Sequence, residues 1–311
     1  MKNPEGSFLY RFYIYQKERF PFVGYIFLVG AFSFSAISFS RMCRNVEGFI
    51  SLQPFLICVF NTVTLFFLVR IFDEFKDKED DKAYRKYLPV PRGLISLGEL
   101  KYVGIFVFLM QVVVNCIFYP QMLLLYFFVI FYLLLMGKEF FVADWLKKHQ
   151  FWYVTSHMFI IPFIDIFASG FDWHLNELDP PQGLLIFFCI SYLNGIVLEI
   201  GRKIKTTESE EPGVLSYTKL MGLKKAPIFW ILILLITMLF AFVGAWYADL
   251  ETIAYIVFFF LFLICSLPAF LFIKSPSVRS AKYIEYFSGL WTFGMYLTLG
   301  GIPMFLKLLG I

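Results

Sequence analysis

Nine stretches of this chain are apolar and long enough to cross a bilayer. They run over Phe20–Ser40, Phe49–Phe72, Leu97–Phe118, Gln121–Met136, Phe151–Phe171, Gly183–Ile200, Pro227–Tyr247, Ile253–Ile273 and Ile284–Leu306. A hydrocarbon core of roughly 30 Å takes about 20 apolar residues in helical form, and inside it only helices or closed barrels pair every backbone group. The runs are continuous rather than alternating, which selects helices. The expected fold is therefore all-α, a polytopic membrane protein of about nine transmembrane helices. The fourth run is short and follows Pro120, which predicts a tight turn out of the third.

Composition closes off the alternative of a soluble core. With 59% hydrophobic residues, 42 Phe and only 16% charged, the chain carries more apolar surface than 311 residues can hide from water. Lys and Arg then set the orientation, because cytoplasmic loops hold the excess. With a cytoplasmic N-terminus, 22 of the 27 fall on the inner side and only Arg41, Arg44 and Lys307 in outer segments, which instead carry Asp172, Glu177 and Asp179. The first nineteen residues, with Lys2, Arg11, Lys17 and Arg19, lack the apolar core and small-residue cleavage site of a signal peptide. Cys43, Cys58, Cys116, Cys189 and Cys265 are scattered and read as small apolar residues in helices. The net charge of +4 is modest, and no nucleic-acid partner is expected. No phosphate-binding glycine loop, dinucleotide fingerprint, HExxH or nucleophile elbow occurs in a suitable setting.

Two long charged segments on the inner side each follow a span directly, at 70–98 and 199–225. In the first, Asp73, Asp77 and Asp81 are spaced by four, so a continued helix stacks them in a column on one face. Like charges so arranged repel unless a cation lies between them. Carboxylates with open coordination sites suit Mg²⁺, which shares itself between one or two acids and substrate phosphates. Against this stands a solvated helix of mixed charge, in which Lys76, Lys78 and Lys82 pair with the acids.

The same stretch resembles the first aspartate-rich motif of the UbiA superfamily of intramembrane prenyltransferases, usually NDxxDxxxD followed by an Arg and a PxPRG-like turn. Asp73 falls on the Asn position, Glu74 on the first acid, Asp77 and Asp81 on the next two, and Arg85 and Pro89-Val-Pro-Arg-Gly93 follow in register. The family has nine transmembrane helices around a central cavity, a cytoplasmic N-terminus and its two motifs after helices two and six. The resemblance thus spans 1–311 as a single domain. The second motif, commonly KDxxDxxxD, departs: Arg202 takes the Lys position and Lys203, Thr206 and Glu210 the three acids, with Glu199 one turn earlier and Glu208 and Glu211 nearby.

The resemblance implies a Mg²⁺-dependent enzyme that moves an isoprenyl group from an isoprenyl diphosphate to a lipophilic acceptor inside the bilayer. It implies Asp73, Asp77, Asp81 and Glu199 as catalytic, with Asp73, Glu74, Asp77, Asp81, Glu199 and Glu210 as metal ligands. Arg70, Lys82, Arg85, Arg202 and Lys203 would bind diphosphate, Lys203 supplying charge that an acid-bound metal otherwise brings. Two rivals stand beside it. One is a terpene cyclase of the same fold, needing no acceptor; the other is a transporter or non-catalytic membrane protein, which the low polarity of spans one, three, seven and eight counts against.

Other residues have plainer expectations. Asp165 and His157 share a face of span five at membrane depth, where an ionisable group is a functional hypothesis by default. Asn61, Asn115 and Asn194 are expected to join helices by hydrogen bonds, Asn194 standing just over one turn before Glu199. Arg92 reads as a headgroup anchor or phosphate grip, and the segment from Glu139 to Lys148, with Lys138 before it, as an interfacial helix.

Overall fold

The structure, a computed structural model, describes residues 6–210, 213 and 215–310; Lys2 and Glu211 lie outside them. Among the described residues there are nine helices long and apolar enough to span a membrane and no strand. An additional helix, α1 (Phe8–Arg19), precedes α2 (Phe22–Cys43), α3 (Leu52–Lys76), α4 (Lys78–Tyr84) and α5 (Leu97–Phe118). There follow α6 (Leu123–Gly137), α7 (Ala143–Lys148), α8 (Gln150–Met158), α9 (Ile160–Gly170) and α10 (Gly183–Arg202). The chain finishes with α11 (Tyr217–Met221), α12 (Lys225–Tyr247), α13 (Thr252–Lys274), α14 (Val278–Tyr296) and α15 (Ile302–Leu309).

The spans fall where the apolar runs predict, and their ends have local causes. The turn out of the third span is Tyr119–Pro120–Gln121–Met122, a single tight turn before α6. Span five breaks into α8 and α9 because Pro162 cannot donate to the Met158 carbonyl four residues back. Span nine holds a wide π turn over Leu297–Gly301 just ahead of Pro303. Gly300 lies in that turn against α2, where a Cβ would meet the Ser35 carbonyl oxygen at 2.3 Å. Only glycine lets the two backbones approach so closely.

Helix α2 packs against α3, α9, α10 and α14, and α10 against α2, α8, α9, α12 and α14, so these two helices form the middle of the bundle. Phe39, Phe187, Trp230, Phe258 and Trp291 are fully buried between the helices, while Phe27, Leu124 and Leu267 point outward to the lipid. Buried amides bind the third span as expected: Asn115 donates to Asn61 Oδ1 at 2.8 Å, and Gln111 donates to Thr64 Oγ1 at 2.7 Å and accepts from the Tyr126 hydroxyl at 2.9 Å. On the face away from the two charged loops, Asp172 is fully buried and accepts from Ser40, Arg41 and Arg44, tying α2 to the end of span five.

Candidate diphosphate site

The second span continues as a helix through Lys76, four residues beyond its apolar run, and therefore carries Asp73 on its last turn. The helix pauses at Asp77 and resumes as α4, which holds Asp81. The pause does not break the column, because the amides of Asp77, Asp81 and Arg85 still donate to the carbonyls four residues back. The Pro89–Gly93 turn then folds back on itself, with Gly93 at φ +81° and Arg92 donating to the Tyr87 carbonyl oxygen.

Each acid of the column faces a cation, and Asp73 and Asp77 share Lys76. Asp73 lies 3.3 Å from Lys76 and 3.9 Å from Arg70; Asp77 is 4.0 Å from Lys76; Asp81 is 3.1 Å from Arg85. Lys76 also stands 5.4 Å from the centroid of the Tyr153 ring, on α8 across the site. Burial lifts the Asp77 carboxyl above the ordinary range against the pull of Lys76. Burial likewise lifts Asp81 to about 6, with Arg85 opposing and Asp77 adding.

Glu74 takes another direction. It is buried, and its Oε1 accepts from Arg19 at 2.7 Å and from Arg70 at 2.9 Å, while Oε2 makes no hydrogen bond. Glu74 thereby anchors α1 beneath the loop. Two further pairs fasten the same helix: Arg11 grips Glu99 through both oxygens, at 2.6 and 3.2 Å, and Glu18 receives two bonds from Arg92, at 2.7 and 2.9 Å. Arg92 holds the Glu18 carboxyl below its usual range. Sequence reading left these helix-to-loop pairs unmatched, since partners 55 to 88 residues apart carry no periodic signal.

From the second loop, Glu199 at the end of α10 is buried and held by Lys203 and Arg202, each at 2.5 Å. Arg202 is within electrostatic reach of Asp73 on α3 and Glu285 on α14, and His157 on α8 of Lys76, Asp73 and Glu199. The two loops thus meet over the ends of α3, α8 and α10. Of the predicted residues this meeting includes Arg70, Asp73, Asp77, Asp81, Arg85, Glu199, Arg202 and Lys203. Lys82 is exposed on α4, and Glu210 is occupied by a 2.8 Å bond from Ser216, the N-cap of α11. Tyr153 was not anticipated. Its only sequence signal is an aromatic residue one turn before His157.

Among the described residues no three His, Cys, Asp or Glu side chains gather as a metal cage. Asp77 and Asp81, four residues apart and each facing one cation where Asp73 faces two, are the acids that would fit one Mg²⁺. The second loop does not fit another: Lys203 fills one acid position, Thr206 closes a cap with Ser209, and Glu199 already faces two cations.

No protein-family model matches the chain, and no curated protein does. Among solved structures it resembles one of digeranylgeranylglyceryl phosphate synthase, studied for biosynthesis in membranes, with a TM-score of 0.60 at 18% identity over 94% of this chain and 99% of that one. The chain therefore shares the fold of this membrane synthase over nearly its whole length.

Proposed function

We propose that the chain binds an isoprenyl diphosphate between its two charged loops and transfers the isoprenyl group to a lipophilic acceptor within the membrane. The observation that carries this reading is the approach of the two loops, with Arg202 in electrostatic reach of Asp73, which gathers Arg70, Lys76, Arg85, Arg202 and Lys203 and the aspartate column at one end of an apolar bundle. A diphosphate brings several negative charges to a place already balanced by ion pairs, so it must draw cations away from acids. Arg70 and Lys76 can turn from Asp73, and Lys203 and Arg202 from Glu199. Mg²⁺ held by Asp77 and Asp81 would neutralise the freed carboxylates and the leaving group.

The chain's own contribution follows from charge and dryness. Guanidinium and ammonium groups stabilise the charge that grows on the leaving diphosphate as the C–O bond breaks and its electron pair stays with oxygen. The ring of Tyr153, which Lys76 faces at 5.4 Å, would supply negative quadrupole near the nascent allylic cation. Apolar packing below the loops keeps water from capturing it. We place these loops at the cytoplasmic face, because 22 of the 27 Lys and Arg residues lie on that side.

Pyrophosphate release by purified, lipid-reconstituted protein, given a panel of isoprenyl diphosphates with Mg²⁺ or EDTA, tests the reading. Release that needs Mg²⁺, Asp77 and Asp81 is expected. Failure of every donor to bind or turn over, with lipid-extract acceptors present, would overturn it. Product analysis with and without acceptor separates transfer from cyclisation by the same fold.

A further inference from the structure

Below the charged loops the bundle buries a second polar group that the diphosphate site does not use. Asp165 on α9 is fully buried, and neither of its carboxylate oxygens has a hydrogen-bond partner. Asn194 on α10 is 1% exposed, and both its amide atoms are likewise unpartnered. Ser191, one turn from Asn194, shares a 2.9 Å hydrogen bond with the Tyr296 hydroxyl of α14; Ser191 also lies close to Asp165, and Tyr296 is within reach of both Asp165 and Asn194. Thr292, one turn before Tyr296, adds another buried hydroxyl without a partner. Phe32 and Phe187 pack on the Tyr296 ring at centroid distances of 5.2 and 5.9 Å. Three helices thus bring together five unpartnered polar atoms of three side chains, Asp165, Asn194 and Thr292, beside the rings of Phe32 and Phe187.

Buried polar groups are normally paired, and at membrane depth leaving them bare is costly enough that their persistence points to something they bind. The amides of Asn61 and Gln111, each with both its nitrogen and its oxygen hydrogen-bonded, show that this chain can pair such groups where they serve packing alone. The donor and acceptor pattern specifies the guest. Asp165 offers acceptor oxygens and, when it carries its proton, a donor, and Asn194 a donor and an acceptor; a hydroxyl, which donates and accepts at once, completes both. A carbonyl only accepts and would leave acceptor oxygens of both side chains bare. Neither Lys nor Arg is among these residues, which disfavours a carboxylate or phosphate. Asn194 is five residues before Glu199, about 7–8 Å along the helix, so the group lies on the bilayer side of the charged loops.

We propose that Asp165, Ser191, Asn194 and Tyr296 bind the hydroxyl of an uncharged lipophilic alcohol that enters from the bilayer. Calling that alcohol the acceptor rests on the prenyl-transfer reading; its binding does not.

The test is equilibrium binding of tritiated phytanol to purified protein in nanodiscs, displaced by unlabelled phytanol, by phytane and by phytanic acid, which share one carbon skeleton. Phytanol is expected to displace at least about tenfold better than either of the others. In Asn194→Leu and Asp165→Leu that preference is expected to vanish while phytane binding persists. Ser191→Ala and Tyr296→Phe, which remove one hydroxyl each, carry the test if the Leu variants fail to fold, and are expected to reduce the preference at least about threefold. Equal displacement by phytanol and phytane in the natural chain, or a preference unchanged by all four variants, would show a cluster filled by water only and overturn the proposal. Binding of an isoprenyl thiodiphosphate, measured in parallel, keeps the two readings apart: its loss alone sinks prenyl transfer and leaves the alcohol site standing.

Discussion

Lys203 Nζ lies 2.5 Å from Glu199 Oε1, one helical turn away, so the second loop brings its own cation to the position where an acid would otherwise recruit metal. On the proposed reading this pair separates the chain's two loops chemically: the first would use its carboxylates to hold a metal, and the second would present charge directly. Lys203→Ala is expected to weaken binding of an isoprenyl thiodiphosphate by about ten- to a hundredfold, the range of a charge-assisted hydrogen bond. Lys203→Asp is expected to raise the Mg²⁺ concentration needed for half-maximal binding. Titration calorimetry across a Mg²⁺ series checks both, and an unchanged affinity for Lys203→Ala would exclude the contact.

Glu74 is expected to matter for stability more than for metal. Glu74→Ala leaves Arg19 and Arg70 without their shared buried acid and should cost about 3–5 kcal/mol. Glu18→Ala removes the half-exposed pair with Arg92 and should cost at most about 1 kcal/mol. Thermal unfolding of both variants, with proteolysis near α1 as the local readout, tells whether the helix is held as the contacts indicate.

Burial raises Asp81 to about 6, above its unfolded value of 3.8, so the protonated form is the one folding favours. Its contribution to stability is present below pH 3.8 and is lost as pH rises through about 6. In EDTA, the natural chain should therefore lose melting temperature relative to Asp81→Asn between about pH 4 and pH 7. Mg²⁺, which binds the carboxylate, should run the other way and bind more weakly as pH falls through that window. Parallel pH profiles of the two proteins that stay a constant distance apart would contradict the burial of this acid.

Lys76 stands 5.4 Å from the centroid of the Tyr153 ring and within reach of its hydroxyl, and the ring contact is the one expected to matter for binding. Tyr153→Phe should retain diphosphate-analogue affinity within about twofold, while Tyr153→Leu should lose about 0.5–2 kcal/mol of it. Equal losses in the two variants would move the role to the hydroxyl.

Gly300→Ala is expected to destabilise the bundle by about 1–3 kcal/mol or more, since the obstructing atom is the Ser35 backbone carbonyl rather than a side chain that can turn away. A melting temperature equal to that of the natural chain would mean that α2 and α14 separate freely.

The nine spans were legible in the sequence because bilayer thickness converts directly into run length, and no distant contact is needed to satisfy a helix. The column Asp73, Asp77, Asp81 was legible for the same reason, since spacing by four is a local property of the backbone. Tertiary structure decided which cation each acid meets. Glu74 follows Asp73 directly and reads as its equal, yet one helical step turns it 100° away, toward Arg19 of α1. Asp165 and Asn194 each read as isolated polar residues in separate spans, and only the packing of α9, α10 and α14 makes them one group. Periodicity determines which face a residue occupies; what stands opposite that face depends on how the helices pack, and that is a long-range property which no local spacing records.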